Sequence, residues 1–151
     1  MGEPVADGAF RELAGLLRTL VEECHHGKEE GYLFPEMIAK GAVAEGPAAA
    51  ILATHHEGRD YLASLSGPRA PQERAAAALL YVRVMRAHLD QEQSVLFPVA
   101  DASFTAEEQL ELARRYEEVE LMTFGPGLRQ RLTATLARLE AAIPPPAEEL
   151  P

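Results

Sequence analysis

His25-His26-Gly27-Lys28-Glu29-Glu30-Gly31-Tyr32-Leu33-Phe34-Pro35 returns, without a gap, as His88-Leu89-Asp90-Gln91-Glu92-Gln93-Ser94-Val95-Leu96-Phe97-Pro98. Both segments read His-x-x-x-Glu-x-x-x-Leu-Phe-Pro. Residues four apart stack on one face of an α-helix, so each histidine and its glutamate point the same way. A single such pair is a surface contact worth roughly a few tenths of a kcal/mol. The duplicate changes that reading. His25 continues the apolar row Leu17–Val21, and His88 continues Leu80–Tyr81–Val84, so both imidazoles are expected to face inward. Burying four ionisable groups without partners is expensive, whereas a bound cation satisfies imidazoles and carboxylates together. His25, Glu29, His88 and Glu92 are therefore candidate metal ligands.

The surrounding sequence is that of a helical bundle. Phe10, Leu13, Leu17, Leu20, Val21 and Cys24 follow three-and-four spacing from a start near Asp7. That helix continues through Glu29 to about Ala39, with Pro35 bending it and Gly41 ending it. A second helix is predicted from Pro47 through Ala48, Ile51, His55 and Leu62, stopped by Ser66-Gly67-Pro68. A third starts near Pro71 and carries Leu80, Tyr81, Val84, His88, Val95 and Val99 on one face. Thr105 with Glu108 forms a capping box that opens a fourth helix to about Thr123. After Gly125-Pro126-Gly127, a fifth is marked by Leu128, Leu132, Leu136 and Leu139. The connections are short, so neighbouring helices should run antiparallel. Residues 1–143 are read as one all-α domain, an up-and-down bundle with a C-terminal helical extension, and 144–151 as a proline-rich tail.

Composition narrows the function. The 151 residues hold 14 Lys plus Arg against 24 Asp plus Glu, a formal net charge of −10, and 47% of them are hydrophobic. That charge balance argues against nucleic acid and against an anionic membrane surface as partners. No apolar run reaches the ~18 residues of a membrane span. The first ten residues carry acids rather than a basic apolar run, so no secretory signal is expected in them. Ala6 stands where a myristoylation signal needs Ser or Thr. With Cys24 the single cysteine, no intrachain disulfide forms, and a reducing, cytoplasmic setting is expected.

A third inward imidazole joins the two pairs. His55 lies on the row Ala48–Ile51–His55–Leu62, so three helices each present a histidine to one interior. His26, about 100° round the helix from His25, either reaches a second ion or pairs with Glu30 on the surface. Nitrogen and oxygen ligands without thiolate suit iron, manganese or zinc, and two carboxylates able to bridge suit a pair of ions. Three His and two Glu are few ligands for two ions, so positions open to water or a small gas are expected. Cys24 is read as a small core residue and His56 as solvent-exposed. Glu117 and Glu118 are read as a solvated face, which Glu120 leaves only if it substitutes as a ligand. Arg59 is expected to hydrogen-bond a carboxylate beside the site.

His25-His26-Gly27-Lys28-Glu29-Glu30, Leu33-Phe34-Pro35, His55-His56-Glu57-Gly58-Arg59, and His88-x-x-x-Glu92 with Val95-Leu96-Phe97-Pro98 together resemble the hemerythrin-like (HHE cation-binding) domains. The likeness extends over residues 10–140. It implies a four-helix bundle around a non-haem di-iron centre that binds or senses dioxygen or a related small oxidant, or handles iron. It implies His25, Glu29, His55, His88 and Glu92 as ligands, the two glutamates bridging. An oxidoreductase acting on peroxide or nitrogen oxides, and a zinc-stapled helical module, are the alternatives. Relatives usually carry a further ligand histidine on an earlier helix, and no histidine precedes His25 here. Either the true start lies upstream of Met1, or the fifth helix, or a second copy of the chain in a homodimer, is expected to cover the corresponding face.

Overall fold

The computed structural model describes residues 7–43 and 45–142, and all of its regular structure is helical. Residues 144–151, read from sequence as a tail, lie outside the described residues. We number five helices: α1 (7–39), α2 (Glu45–Ser66), α3 (71–103), α4 (Ala106–Phe124) and α5 (Leu128–Ala142).

α1 and α3 are composite rods. In α1 the α-helical segment Asp7–Leu17 runs into a π-helical stretch, Arg18–His26, then a second, Glu29–Leu33, before returning to α-helix at Phe34–Ala39. In α3, Pro71–Gln91 is followed by π-helical Glu92–Leu96 and α-helical Phe97–Ser103. The repeated motif thus carries a repeated backbone device. The N–H of Phe34 bonds the carbonyl of Glu29, and that of Phe97 bonds the carbonyl of Glu92, five residues back in each case. Such widened turns concentrate at functional sites. They also admit Pro35 and Pro98, whose rings clash with the regular α-helical ladder.

The boundaries follow local chemistry. Gly41, at φ 68°, ends α1 in the left-handed region open to glycine. Pro71 opens α3, with the Glu73 carboxylate accepting from the Ala70 N–H at 3.1 Å. The expected capping box opens α4: Thr105 N–H donates to Glu108 Oε2 at 2.8 Å, and Glu108 N–H donates to Thr105 Oγ1 at 3.3 Å. Gly125, at φ 63°, ends it one residue beyond the sequence expectation. α2 begins at Glu45 rather than Pro47.

Two apolar clusters enclose a polar midsection. One unites Ala14 of α1 with Leu62 and Leu65 of α2 and Ala77, Tyr81 and Met85 of α3. The other unites Leu33, Phe34, Met37, Ile51, Leu96, Ala100 and Phe104. The Leu-Phe-Pro ends of both motif copies therefore supply one of the two caps. Along each of α1, α2 and α3, the candidate ligands fall between the clusters.

The inward row of α3 differs from expectation. Ala77, Tyr81, Met85, His88, Glu92, Leu96 and Ala100 are buried, whereas Leu80 and Val95 are 43% and 56% exposed. Val95 sits inside the π-helical turn, whose extra residue rotates it out of the row.

α4 and α5 cover α1. Lys28–Glu120 and Lys40–Glu108 join α1 to α4, and Arg138 of α5 pairs with Glu12. These exposed pairs set register more than stability. Both helices of the C-terminal extension, not α5 alone, thus pack on α1.

Candidate metal centre

The candidate residues converge. His25, Glu29, His88 and Glu92 each place a ligand atom within 4.8 Å of the others, and so do His25, His26 and His88. His55 Nε2 lies 3.4 Å from Glu29 Oε2. Glu92 reaches His88 Nε2 at 2.5 Å through one oxygen and His25 Nε2 at 3.5 Å through the other. Glu29 likewise lies between His55 and His25, whose Nε2 is 3.8 Å from Oε1. Each carboxylate therefore faces two imidazoles.

His26 is fully buried, which excludes the surface pairing with Glu30 allowed by the sequence. Its ring stacks on His55 at 3.6 Å between centroids and 6° between planes. The π-helical stretch Arg18–His26 explains how adjacent histidines both turn inward: a wider turn separates neighbours by a smaller angle than the regular helix does.

The other ring nitrogens are held from behind. His26 Nδ1 donates to Glu22 Oε2 at 2.9 Å, and His55 Nδ1 to Glu30 Oε1 at 2.8 Å. A carboxylate only accepts, so both Nδ1 atoms carry their hydrogen. Thr54 Oγ1 donates to the Ile51 carbonyl at 2.7 Å, so its hydrogen is committed and it accepts from His88 Nδ1–H at 2.9 Å. In the neutral rings all three Nε2 atoms are then bare lone pairs. Those of His55 and His88 aim at carboxylate oxygens of Glu29 and Glu92, which are also lone-pair acceptors.

This yields the decisive feature. Among the described residues, the buried side-chain atoms without a hydrogen-bond partner include Nε2 of His25, His26, His55 and His88 and both carboxylate oxygens of Glu29 and Glu92. Four imidazole nitrogens and four carboxylate oxygens meeting inside a protein without hydrogen-bond partners are satisfied together by a cation. Imidazole nitrogen and carboxylate oxygen are the donors a divalent metal takes, so the residues present fit a metal.

The same residues match a known family. The hemerythrin HHE cation-binding domain matches residues 2–100, more than half of the chain. The chain belongs to the hemerythrin HHE cation-binding family. The chain is also similar to uncharacterized proteins of Mycobacterium bovis (Mb2018) and Mycobacterium tuberculosis (MT2051 and Rv1995), each 27% identical over 145 residues, covering 89% of this chain. The alignment covers 56% of their length, so this chain spans about half of the curated relatives it matches. No solved structure matches it.

Charge reinforces the hemerythrin-family centre. Burial would raise the Glu92 carboxyl, but His25 and His88 more than offset it and hold it at about 2. His25 is raised from its ordinary value by its contact with Glu92, against burial. Burial dominates at His26 and lowers it, despite Glu22. Arg59 binds both supporting acids, Nε to Glu22 Oε2 at 2.9 Å and Nη2 to Glu30 Oε1 at 2.5 Å. That confirms the expected carboxylate contact and shows it to be double. Glu30, otherwise raised by burial, is lowered by His55 and Arg59.

Sequence reading missed Glu22 and Thr54. Glu22 stands four residues before His26, the same spacing as His25–Glu29 in reverse order, and that was the available signal. Glu120 does not enter the centre; it pairs with Lys28 at 2.5 Å. His56, Glu117 and Glu118 are exposed, and Cys24 is buried. Gly58 lets α2 approach: a Cβ there would lie 2.9 Å from Met85 Cε and 3.6 Å from Glu22 Oε1. Because outer partners orient ligands, Glu22→Ala should lower metal affinity about 10- to 100-fold. Competitive chelator titration measures this, and unchanged affinity would show that Glu22 does not position His26.

Proposed function

We propose that this chain binds non-haem iron, two ions per chain, and uses the centre to bind or sense dioxygen or a related small oxidant. The convergence of four imidazole Nε2 atoms and four carboxylate oxygens, all buried without a hydrogen-bond partner, carries the reading. His25, His26, His55 and His88 supply nitrogen, and Glu29 and Glu92, each facing two imidazoles, supply the oxygen suited to bridging two ions. Iron held this way supplies reversible redox chemistry; zinc or manganese in the same donors is the rival filling. The chain's own residues fix the tautomers of His26, His55 and His88, hold the Glu92 carboxylate ionised and shield the centre between two apolar caps. A cytoplasmic setting is part of this reading. No helix among the described residues is long and apolar enough to cross a membrane.

Elemental analysis and optical spectra of anaerobically purified protein test it. Two irons per chain and a spectrum that changes on admitting air are expected. No iron uptake and no spectral change would reject it. The half-exposure of His25 favours a second reading, turnover of peroxide or nitrogen oxides; reaction that stops after one equivalent would reject that one.

Acid should release the metal over the imidazole range. Protonation consumes the lone pair a metal needs. His25, raised, takes its proton first as pH falls; His26, lowered, takes it later; Glu92, at about 2, stays ionised throughout. Metal per chain after equilibrium dialysis should hold at pH 8 and fall between about pH 7 and 5, around the ordinary histidine value of ~6.5. Retention down to about pH 4 would point to carboxylates alone.

A further inference from the structure

A cleft of about 480 Å³ opens beside His25. Its lining draws on three parts of the chain: Leu20, Val21 and Cys24 of α1, Leu89 of α3, and Phe124 and Leu132 from the C-terminal helices. Of the six candidate ligands, only His25 lines it. The His25 side chain is 38% exposed, whereas those of His26, His55 and His88 are 0–1% exposed. An incoming molecule therefore meets the centre at His25.

We propose that this cleft is the port through which an uncharged, weakly polar molecule of diatomic size reaches the centre. The C-terminal helices, which lie outside the family-matched residues 2–100, set its width. The inference rests on the metal-centre reading above. Three observations select the ligand class. The walls are mainly apolar. The two charged groups at the cleft, Lys28 and Glu120, neutralise each other at 2.5 Å and leave no net charge to hold an ion. The formal net charge of −10 disfavours the approach of small anions. Apolar cavities take up apolar atoms such as xenon, which makes the port testable without metal. The Lys28–Glu120 pair ties α1 to α4 across this region.

The test has a metal-independent arm and a kinetic arm. In the first, xenon is added to methyl-labelled protein, metal-free and iron-loaded. Shifts at the methyls of Leu20, Val21, Leu89 and Leu132 are expected, lost in Leu132→Trp. In the second, nitric oxide and azide are mixed with iron-loaded protein in stopped flow. Leu132→Trp, or Leu20→Phe from the other wall should the first variant fail to fold, is expected to slow nitric oxide capture at least tenfold at unchanged iron content. Leu110→Trp, on the exposed face of α4, should stay within twofold, and azide should bind more slowly than nitric oxide. Xenon shifts elsewhere, or nitric oxide capture within twofold of the parent in both filled variants, would overturn the port. If the chain takes up no iron, the proposed function falls and the xenon arm alone decides the cleft.

Discussion

Glu92→Gln should reduce metal affinity more than 100-fold, equivalent to a loss of about 2.7 kcal/mol or more. The expectation rests on what surrounds this carboxylate. It is fully buried and faces His88 at 2.5 Å and His25 at 3.5 Å. Neither of its oxygens has a hydrogen-bond partner among the described residues. Glutamine keeps the shape but replaces one oxygen with a donor, so it removes a charge and a coordinating atom together. The amide can donate to a bare imidazole nitrogen, so the variant should fold. Glu29→Gln should behave alike, because Glu29 faces His25 and His55 in the same manner. Isothermal titration or chelator competition measures the loss. If Glu92→Gln binds metal as the parent does, the buried carboxylate is merely an ion-pair partner of His25 and His88, and the centre lies elsewhere.

The legible parts of this site were those encoded within one helix. The His-x-x-x-Glu pairs are four-residue relations, fixed once the segment is helical, and the duplicate told which pairs matter. His55 was legible from its row with Ile51 and Leu62. The supporting contacts are another matter. Thr54–His88 joins α2 to α3, and Glu30–His55 joins α1 to α2; no spacing in the sequence announces either one. Glu22 was hidden differently. A glutamate beside Glu23 and Val21 reads as polar surface, and only the π-helical stretch Arg18–His26 turns it inward with His26. The same cause explains Val95. Regular periodicity of 3.6 residues fails wherever the turn contains an extra residue, and three such segments lie at or beside the ligands. The backbone irregularity that makes the site is what blurs it in the sequence.

The covering face illustrates a further limit. Sequence reading asked whether the fifth helix or a second copy of the chain closes the bundle. Both α4 and α5 pack on α1, through contacts such as Lys28–Glu120 and Arg138–Glu12 separated by 92 and 126 positions. Amphipathicity shows that an element has a face, not which distant element meets it. It also left open that the covering pair keeps a cleft at His25.

Loading the metal should raise the melting temperature by about 8–16 °C, and stripping it should reverse the change. The magnitude follows from linkage. A ligand bound by the folded chain alone, at a free concentration a thousand times its dissociation constant, stabilises by about 4.1 kcal/mol. For a domain of this size each kcal/mol moves the midpoint by roughly 2–4 °C. The gain has an identifiable source. Metal-free, the chain holds eight buried polar atoms without a hydrogen-bond partner at this site, and an unpartnered buried group costs about 1–3 kcal/mol. The two apolar caps keep the metal-free chain folded, since neither contains a ligand. The stabilisation should also be local. Hydrogen exchange should slow on loading around His25–Glu29, His55 and His88–Glu92, where three helices are tied through one point, and change least at the far end of α5. Glu92→Gln should abolish the increment. A melting temperature indifferent to metal, in a chain shown by analysis to be loaded, would mean that the ion sits outside this centre, because an ion bound only by the folded arrangement of these side chains must favour the folded state.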